Sequence, residues 1–287
     1  MTQRITLANG RSVEFDDPPG ADGPAVFALS MRKCGSSVFN SMMLVMTRAN
    51  GYGEVEVEEA LFHQNVVAKD WQSDPALGEI LRRGVTYTGF RNAPVCLFDH
   101  PVFKEGPKVL LVRDPRDALV SDYFSVAYSH GIPDASEQAD DTHALLTRKR
   151  ADALQSSIDN WVIHEARGFN RGLELYRPIV SWPTTLVLRY EECIFDKPQM
   201  LARIADHTGW RVDDEIVSNI LIWADENPGT EDPQRFVRQV TPGDHRRKLK
   251  TSTIVRINRL LRPSMELFGY RPWRRRKPPE AVGMSWN

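Results

Sequence analysis

The chain has 287 residues, of which 41% are apolar and 26% charged, a composition typical of one large globular domain or two small ones. Because 37 Lys and Arg are balanced by 38 Asp and Glu, no global positive field predicts binding to nucleic acid. The sequence has no apolar run long enough for a membrane span and no secretory signal at its start. Three widely spaced cysteines favour a reducing, cytoplasmic setting.

The first predicted elements are a hairpin and a strand that leads into a helix. Residues 1–24 are expected to form a hairpin or extension, because residues 5–15 alternate weakly around an Asn-Gly turn. Residues 25–29 are a short apolar run, which predicts a buried strand. A turn rich in Gly and Ser follows, and then a helix over residues 38–46.

A second buried strand is predicted at residues 108–112, and a third strand at residues 185–190. Each is followed by a helical pattern, at residues 118–128 and 197–207. Strands that alternate with helices predict an α/β protein with a parallel central sheet flanked by helices. Residues 25–270 are expected to form a single domain around this sheet.

Two polar segments lie outside this pattern. Residues 131–142 are acidic and predict a mobile surface loop of the kind that shapes an acceptor pocket. Residues 271–287 form a basic carboxyl-terminal tail. The interpretations of this tail are contact with an anionic glycan, a lipid surface or a partner subunit, or a disordered solvating end.

The first candidate functional segment is the turn after the first buried strand, where residues 31–37 read M-R-K-C-G-S-S. Gly35 permits a tight turn whose N–H groups point inward, and the helix start adds positive potential, so the turn suits an oxyanion ester. Lys33 adds a cation. The Lys precedes the Gly, so the segment is not a Walker A motif. Considered alone, a Gly-Ser helix cap is more often structural than functional.

The second candidate segment begins with Arg113, at the end of the strand at residues 108–112. Ser121 lies eight residues later, inside the following helix. A guanidinium and a hydroxyl that converge from a strand end and a helix suit a phosphate monoester. The alternative is a surface ion pair between Arg113 and Asp114 or Asp117.

Together the two segments resemble motifs of the sulfotransferases that use 3′-phosphoadenosine-5′-phosphosulfate (PAPS). That family has T-Y-P-K-S-G-T-T-W after its first strand and R-N-P-K-D with a Ser at the same interval. The resemblance implies a P-loop-NTPase-like sulfotransferase fold, with Lys33 on the bridging oxygen of the donor and with Arg113 and Ser121 on its 3′-phosphate. The loop that cradles the 5′-phosphosulfate is matched by Cys34, Gly35, Ser36 and Ser37.

Two later segments extend the resemblance. Residues 188–192, L-R-Y-E-E, are similar to the family's F-Y-E-D strand end, which implies that Tyr190 approaches the adenine. Residues 236–245, F-V-R-Q-V-T-P-G-D-H, are similar to F-M-R-K-G-x-x-G-D-W, which implies that Arg238 is a second cation on the 3′-phosphate. Four motifs in the family order are far more specific than any one of them.

The chain also departs from the family pattern. Cys34 replaces the common serine that tempers the lysine, and Val38 stands where many members have an adenine-stacking tryptophan. Gln239 and Val240 replace Lys and Gly, which leaves the 3′-phosphate with fewer donors.

The general base is not obvious from the motifs. Members that act on phenols and small alcohols carry H-L-P, where residues 92–94 here read N-A-P, and Asn does not accept a proton at neutral pH. Members that act on carbohydrates use a Glu within E-E-x-x-F-F, to which residues 58–63, E-E-A-L-F-H, are similar. Glu59 is the leading candidate, and His63 and His100 are alternatives. An acidic run of this kind is also typical of a solvated face.

The sequence therefore predicts an enzyme that moves a sulfuryl group from PAPS to a hydroxyl or amine of a carbohydrate or other small-molecule acceptor. Adenosine 3′,5′-bisphosphate (PAP) would be the product, and no metal is expected. One alternative is a P-loop-type nucleotide kinase, which the absent Walker A motif disfavours. Another is a non-catalytic protein that binds PAP or PAPS. The sequence predicts neither the acceptor nor the oligomeric state.

Overall fold

A five-stranded parallel sheet forms the centre of the molecule in the computed structural model, which describes residues 1–129, 131, 140–225, 230–235 and 237–271. Most of the predicted loop at residues 131–142 and nearly all of the basic tail lie outside these residues. The strands are β1 (Thr2–Thr6), β2 (Ser12–Asp16), β3 (Val26–Ser30), β4 (Gly53–Glu56), β5 (Val85–Phe90), β6 (Lys108–Val112) and β7 (Thr185–Arg189).

Helices cover the faces of this sheet, and none of the described ones has the length and apolar character needed to cross a membrane. Short 3₁₀ segments occur at Pro75–Ile80 and Val95–Leu97, and a π-helical turn occurs at Ser125–Ser129. The described helices are α1 (Ser36–Ala49), α2 (Val57–His63), α3 (Ala68–Trp71), α4 (Pro101–Glu105), α5 (Pro115–Phe124), α6 (Asp140–Gln155), α7 (Ile158–Glu174), α8 (Arg177–Val180), α9 (Tyr190–Cys193), α10 (Lys197–Thr208), α11 (Asp214–Ala224), α12 (Asp244–Lys248), α13 (Thr251–Leu260) and α14 (Arg262–Leu267).

The central sheet has the strand order β4-β5-β3-β6-β7, and every neighbouring pair is parallel. Every residue of β3 and β6 is buried, as their continuous apolar sequences predicted. The expected α/β class, with a parallel sheet flanked by helices, is confirmed. Because all five strands run in one direction, their carboxyl ends meet at one edge of the sheet, where such folds bind ligands.

Two strands of the central sheet, β4 and β5, were not predicted. All six residues of β5 are buried, although its sequence V-T-Y-T-G-F contains threonines and a glycine that weaken the apolar signal. β4 includes Glu54 and Glu56, and the acidic run that resembles a solvated face is instead an edge strand that continues into α2. Burial of alternate residues, Gly53 and Val55, explains why this acidic segment still pairs within the sheet.

The amino-terminal hairpin is present, with β1 antiparallel to β2. Its inward-facing residues include Ile5, Val13 and Phe15, which belong to the same hydrophobic cluster as the central strands. This hairpin therefore packs onto the main core. The three cysteines of the chain are free thiols.

Lys108, at the start of β6, is a fully buried lysine. Its ammonium group donates hydrogen bonds to the carbonyl oxygens of Phe103 at 2.5 Å, Gly106 at 2.6 Å and Lys104 at 3.2 Å. The same nitrogen lies 4.9 Å from the centre of the Phe103 ring and 5.2 Å from that of Trp182. Lys108 thus satisfies carbonyl groups at the end of α4 and fixes that helix to the sheet.

We predict that Lys108→Met lowers the free energy of unfolding by about 3 kcal/mol, because buried carbonyl groups lose their donor. Lys104→Met is the matched control, since among the described residues the Lys104 ammonium pairs with exposed Asp99 alone, and it should cost less than about 0.5 kcal/mol. Urea denaturation of both variants measures the difference. Equal effects would contradict a structural role for Lys108.

Candidate active site

The turn between β3 and α1 has a backbone that few sequences could adopt. Gly35, the residue before α1, has φ of +84°, and Lys33 has φ of +63° although it carries a side chain. A Cβ added at Gly35 would lie 3.1 Å from Cε2 of Tyr190. The tight turn brings the amino terminus of the 14-residue helix α1 to the carboxyl end of the central strand. N–H groups and the helix dipole there favour an anion.

Lys33 is half-buried within a group of arginines. Burial lowers the pKa of its ammonium group, and the charges of Arg32, Arg113 and Arg91 lower this pKa further, whereas Asp122 opposes the shift. Asp122 also accepts a hydrogen bond from Arg32 at 3.3 Å. The positive charge around Lys33 exceeds what one carboxylate balances, so this turn suits an anionic ligand.

The remaining side chains of the turn differ in orientation. The Cys34 thiol is buried and donates to the carbonyl oxygen of Met31 at 2.8 Å, and burial raises its pKa to about 12. It is therefore a neutral packing group and not a nucleophile. The Ser36 hydroxyl is 3.3 Å from Nε of Arg91, and Ser37 is half-buried in the first turn of α1.

Arg113 joins the two sequence motifs physically. Its Nη1 donates to the carbonyl oxygen of Lys33 at 3.2 Å, and its guanidinium lies 4.4 Å from the centre of the Tyr190 ring. The side chain is buried, and its Nε has no hydrogen-bond partner among the described residues. A buried guanidinium with an unused donor is poised for an anion.

Tyr190 connects this arginine to the later motif. Its ring contacts both Arg113 and Gly35, and its hydroxyl donates to the carbonyl oxygen of Val240 at 2.8 Å. Burial raises the pKa of the phenol to about 12. Tyr190 is therefore an uncharged side chain that holds the backbone at Val240 close to the turn at Gly35.

Ser121 and Arg238 lie near the far end of α5. Ser121 is half-buried, and Phe124 follows one turn later. The Arg238 guanidinium lies 4.2 Å from the centre of the Phe124 ring and forms ion pairs with Glu231 and Asp244. Arg238 is therefore already paired with carboxylates in this structure.

Asp117, in the first turn of α5, anchors the segment that carries Arg238. Its carboxylate accepts hydrogen bonds from the N–H of Gly243 at 2.6 Å, the N–H of His245 at 2.9 Å and Nδ1 of His245 at 2.5 Å. Burial alone would raise the pKa of Asp117, but the bonds from His245 and the charge of Arg113 lower it to about 2. This fully ionised carboxylate fixes the start of α12 to α5.

A polar cavity of about 370 Å³ is lined by residues that follow β6 and β7. Tyr270 donates to Glu191 at 2.7 Å within it. Such an acidic lining disfavours a ligand with several negative charges. Its charged lining residues are Asp114, Asp117, Glu191, Glu192, Arg189, Arg246 and His245.

The predicted base candidates lie in different surroundings. The side chain of Glu59 is 47% exposed, and its carboxylate pairs with His63 at 3.2 Å and more distantly with Arg91 at 4.0 Å. The His63 side chain is 70% exposed. The His100 ring packs against Gly78, and its Nδ1 has no partner in the described part of the chain.

Glu58, the neighbour of the predicted candidate Glu59, lies in surroundings better suited to a base than those of Glu59. Its Oε1 accepts hydrogen bonds from the backbone N–H of Asn92 at 2.8 Å and from Nδ2 of Asn92 at 3.2 Å. Burial raises the pKa of Glu58 to about 7, although the bonds from Asn92 and the charge of Arg91 oppose this shift. Asn92 could have pointed to Glu58 from the sequence. It stands where the H-L-P motif has its histidine, and it holds the Glu58 carboxyl group by two hydrogen bonds.

No protein-family profile and no curated protein matches the chain. Solved structures do match. Mouse sulfotransferase SULT7A1 complexed with PAP has 14% identity and a TM-score of 0.58, with 86% of each chain covered. The chain has the sulfotransferase fold. A second match is retinol dehydratase in complex with androsterone and the inactive cofactor PAP. It has 15% identity and a TM-score of 0.53, and the alignment covers 91% of this chain and 90% of the dehydratase chain.

We predict that Gly35→Ala weakens binding of an anionic probe at this turn, for which PAP is used, about tenfold, because the added Cβ displaces Tyr190 in addition to straining the turn. Gly51→Ala is the matched control, since Gly51 also has positive φ, of +73°, but its Cβ would meet nothing within 4 Å. Both variants should lose about 1 kcal/mol of stability from backbone strain. Titration calorimetry separates the two, and unchanged PAP affinity in Gly35→Ala would refute the importance of this contact.

Proposed function

We propose that the protein is a PAPS-dependent sulfotransferase that acts on a hydroxyl, or amine, of a carbohydrate or other small-molecule acceptor. The observation that carries this proposal is the contact between Arg113 and the carbonyl oxygen of Lys33. It brings two anion-binding motifs, 80 residues apart in sequence, to one edge of the sheet. The fold shared with PAP-bound sulfotransferases supports the same assignment.

The residues around the turn fit a nucleotide with phosphates at both ends. Gly35 and the amino terminus of α1 would hold the 5′-phosphosulfate, because they combine free N–H groups with positive potential. The guanidinium of Arg113 and the Ser121 hydroxyl would bind the 3′-phosphate, with Arg238 as a further cation. Tyr190 would support the nucleoside between these groups.

PAPS supplies the sulfuryl group of the reaction. Glu58 accepts the proton of the acceptor hydroxyl, whose oxygen then forms the new bond to sulfur. Lys33 neutralises the negative charge that gathers on the bridging phosphate oxygen as its bond to sulfur breaks. The N–H groups of the turn hold the equatorial sulfuryl oxygens, and the products are the sulfated acceptor and PAP.

Glu58 is preferred to Glu59 as the base because of its protonation behaviour. A carboxyl group with a pKa of about 7 is a stronger base than an ordinary glutamate and is still ionised in about half of the molecules at neutral pH. Asn92 orients Glu58 with two hydrogen bonds, whereas Glu59 is exposed and paired with His63. His100 packs against Gly78 and has no comparable orienting partner.

The first test is nucleotide selectivity. A donor site of this kind should be stabilised by PAP far more than by AMP, which lacks the 3′-phosphate, and each ligand should raise Tm according to its affinity. Thermal shift with PAP, AMP and ATP with magnesium measures this. Preferential stabilisation by ATP with magnesium would favour a nucleotide kinase, and PAP binding without label transfer from PAPS to an acceptor panel would indicate a non-catalytic binding protein.

The second test is the pH dependence of the base. Because Glu58 reacts as the carboxylate, kcat/KM should rise with pH and level off above its pKa of about 7. Glu58→Gln should lower kcat about 100-fold or more and remove this rise, since the amide accepts no proton. Glu59→Gln is the matched control, with kcat within about threefold of wild type. If Glu59→Gln is the variant that loses the pH-dependent limb, the assignment of Glu58 is wrong.

A further inference from the structure

Glu231 bridges two cations beside α5. One carboxylate oxygen pairs with Nη1 of Arg238, and the other accepts a hydrogen bond from Nζ of Lys248 at 2.7 Å. Both cations lie over the ring of Phe124, with Arg238 at 4.2 Å and Lys248 at 5.4 Å from its centre. An anion at the position of the Glu231 carboxylate is therefore held by two positive groups.

This pair of cations lies close to the proposed 3′-phosphate ligands. Phe124 is three residues beyond Ser121 on α5, so the two side chains lie on one face of the helix. Lys248 is the last residue of α12, whose start is fixed to α5 by the bonds from Gly243 and His245 to Asp117. Lys248 therefore lies beside Phe124, one helical turn beyond Ser121.

The sequence around Arg238 lacks the neighbouring cation that the resemblance implies. Gln239 is neutral and stands where the family has Lys. Arg238 itself remains partly neutralised by Asp244, whose side chain is only 1% exposed and is held in the core. A phosphate dianion at this place would meet Arg113 and an Arg238 whose charge is partly neutralised, and Lys248 is in position to supply a further cation.

The two acidic partners of Arg238 differ in their freedom to move. Asp244 is buried at the start of α12, whereas the side chain of Glu231 is 26% exposed. Burial opposes ionisation of Glu231, but the bonds from Lys248 and Arg238 outweigh it and lower its pKa. Glu231 is therefore an anion at neutral pH that can leave towards solvent.

We propose that Lys248 binds the 3′-phosphate of the donor together with Arg238, and that Glu231 occupies the place of this phosphate until the nucleotide enters. This inference rests on the proposed sulfotransferase function. A carboxylate that is tethered to the chain competes with the 3′-phosphate, so Glu231 lowers affinity for 3′-phosphorylated nucleotides and leaves affinity for AMP unaffected.

The test is titration calorimetry of PAP and AMP with wild type, Lys248→Met and Glu231→Gln. Lys248→Met should weaken PAP binding about tenfold, through loss of one charge-assisted bond, and change AMP binding less than about twofold. Lys248→Arg should restore most of the PAP affinity. Glu231→Gln should tighten PAP binding about threefold to tenfold, because its neutral amide competes less well for the two cations.

The matched control is Arg246→Met. Arg246 lies on the same short helix with an exposed side chain, so this substitution removes an equal charge that is not paired with Glu231. It should leave PAP affinity within about twofold of wild type. Circular dichroism melts of all variants verify that each is folded.

The outcomes separate the inference from the function on which it rests. If wild type does not prefer PAP to AMP, the proposed function fails and the inference fails with it. If wild type prefers PAP but Lys248→Met behaves like Arg246→Met, only the role of Lys248 is overturned. If Glu231→Gln weakens PAP binding, Glu231 positions the two cations and does not compete with the phosphate.

Discussion

The contact between Arg113 and the turn at Lys33 is the interaction on which the candidate site depends. Arg113 follows β6 and Lys33 follows β3, two adjacent central strands, so their separation is set by the hydrogen-bonded register of the sheet. Tyr190, which follows β7, stacks on the same guanidinium. Three parallel strands therefore bring one residue each to a common point. The site can be rigid although its residues are distant in sequence.

A second constraint is electrostatic. Cations gathered at one sheet edge repel each other in the absence of a ligand, and the structure reduces this repulsion with carboxylates. Asp122 pairs with Arg32, Asp117 lies near Arg113, and Glu231 and Asp244 pair with Arg238. Affinity for a polyanion then depends on which carboxylates can leave. The buried ones, such as Asp117 and Asp244, are part of the scaffold, and the partly exposed Glu231 is exchangeable.

The sequence predicted the part of the fold in which local pattern and tertiary environment agree. β3, β6 and β7 were found because their apolar runs are uninterrupted. β5 was missed because Thr86 and Thr88 are fully buried with hydroxyl groups that have no hydrogen-bond partner in the described chain, an arrangement that no local rule anticipates. The motifs also placed Lys33 and Arg113 correctly at strand ends, since a turn that follows a buried strand must lie at the edge of the sheet.

The choice between Glu58 and Glu59 shows what the sequence could not decide. The two residues are adjacent and chemically identical, and the contact with Asn92, 34 residues away, is made by Glu58. Asn92 follows the carboxyl end of β5, the strand that was not predicted, so the missed strand and the preference for Glu59 have the same origin. The pattern at residues 58–63 predicts a carboxyl group in this segment but not which of the two accepts the bonds from Asn92.

The pKa values of the acidic groups divide the site into groups suited to binding and a group suited to proton transfer. Asp117 and Glu231 accept hydrogen bonds from charged or strongly polar donors, which outweigh their burial and lower their pKa. Glu58 instead accepts its bonds from the neutral amides of Asn92, so burial dominates and its pKa rises to about 7. Lys33, across the turn, is shifted downward by the same cause, burial. The raised pKa of Glu58 and the lowered pKa of Lys33 suit the roles proposed for them, proton transfer and stabilisation of the leaving group. The ionised carboxylates of Asp117 and Glu231 instead hold the structure together or exchange with an anion.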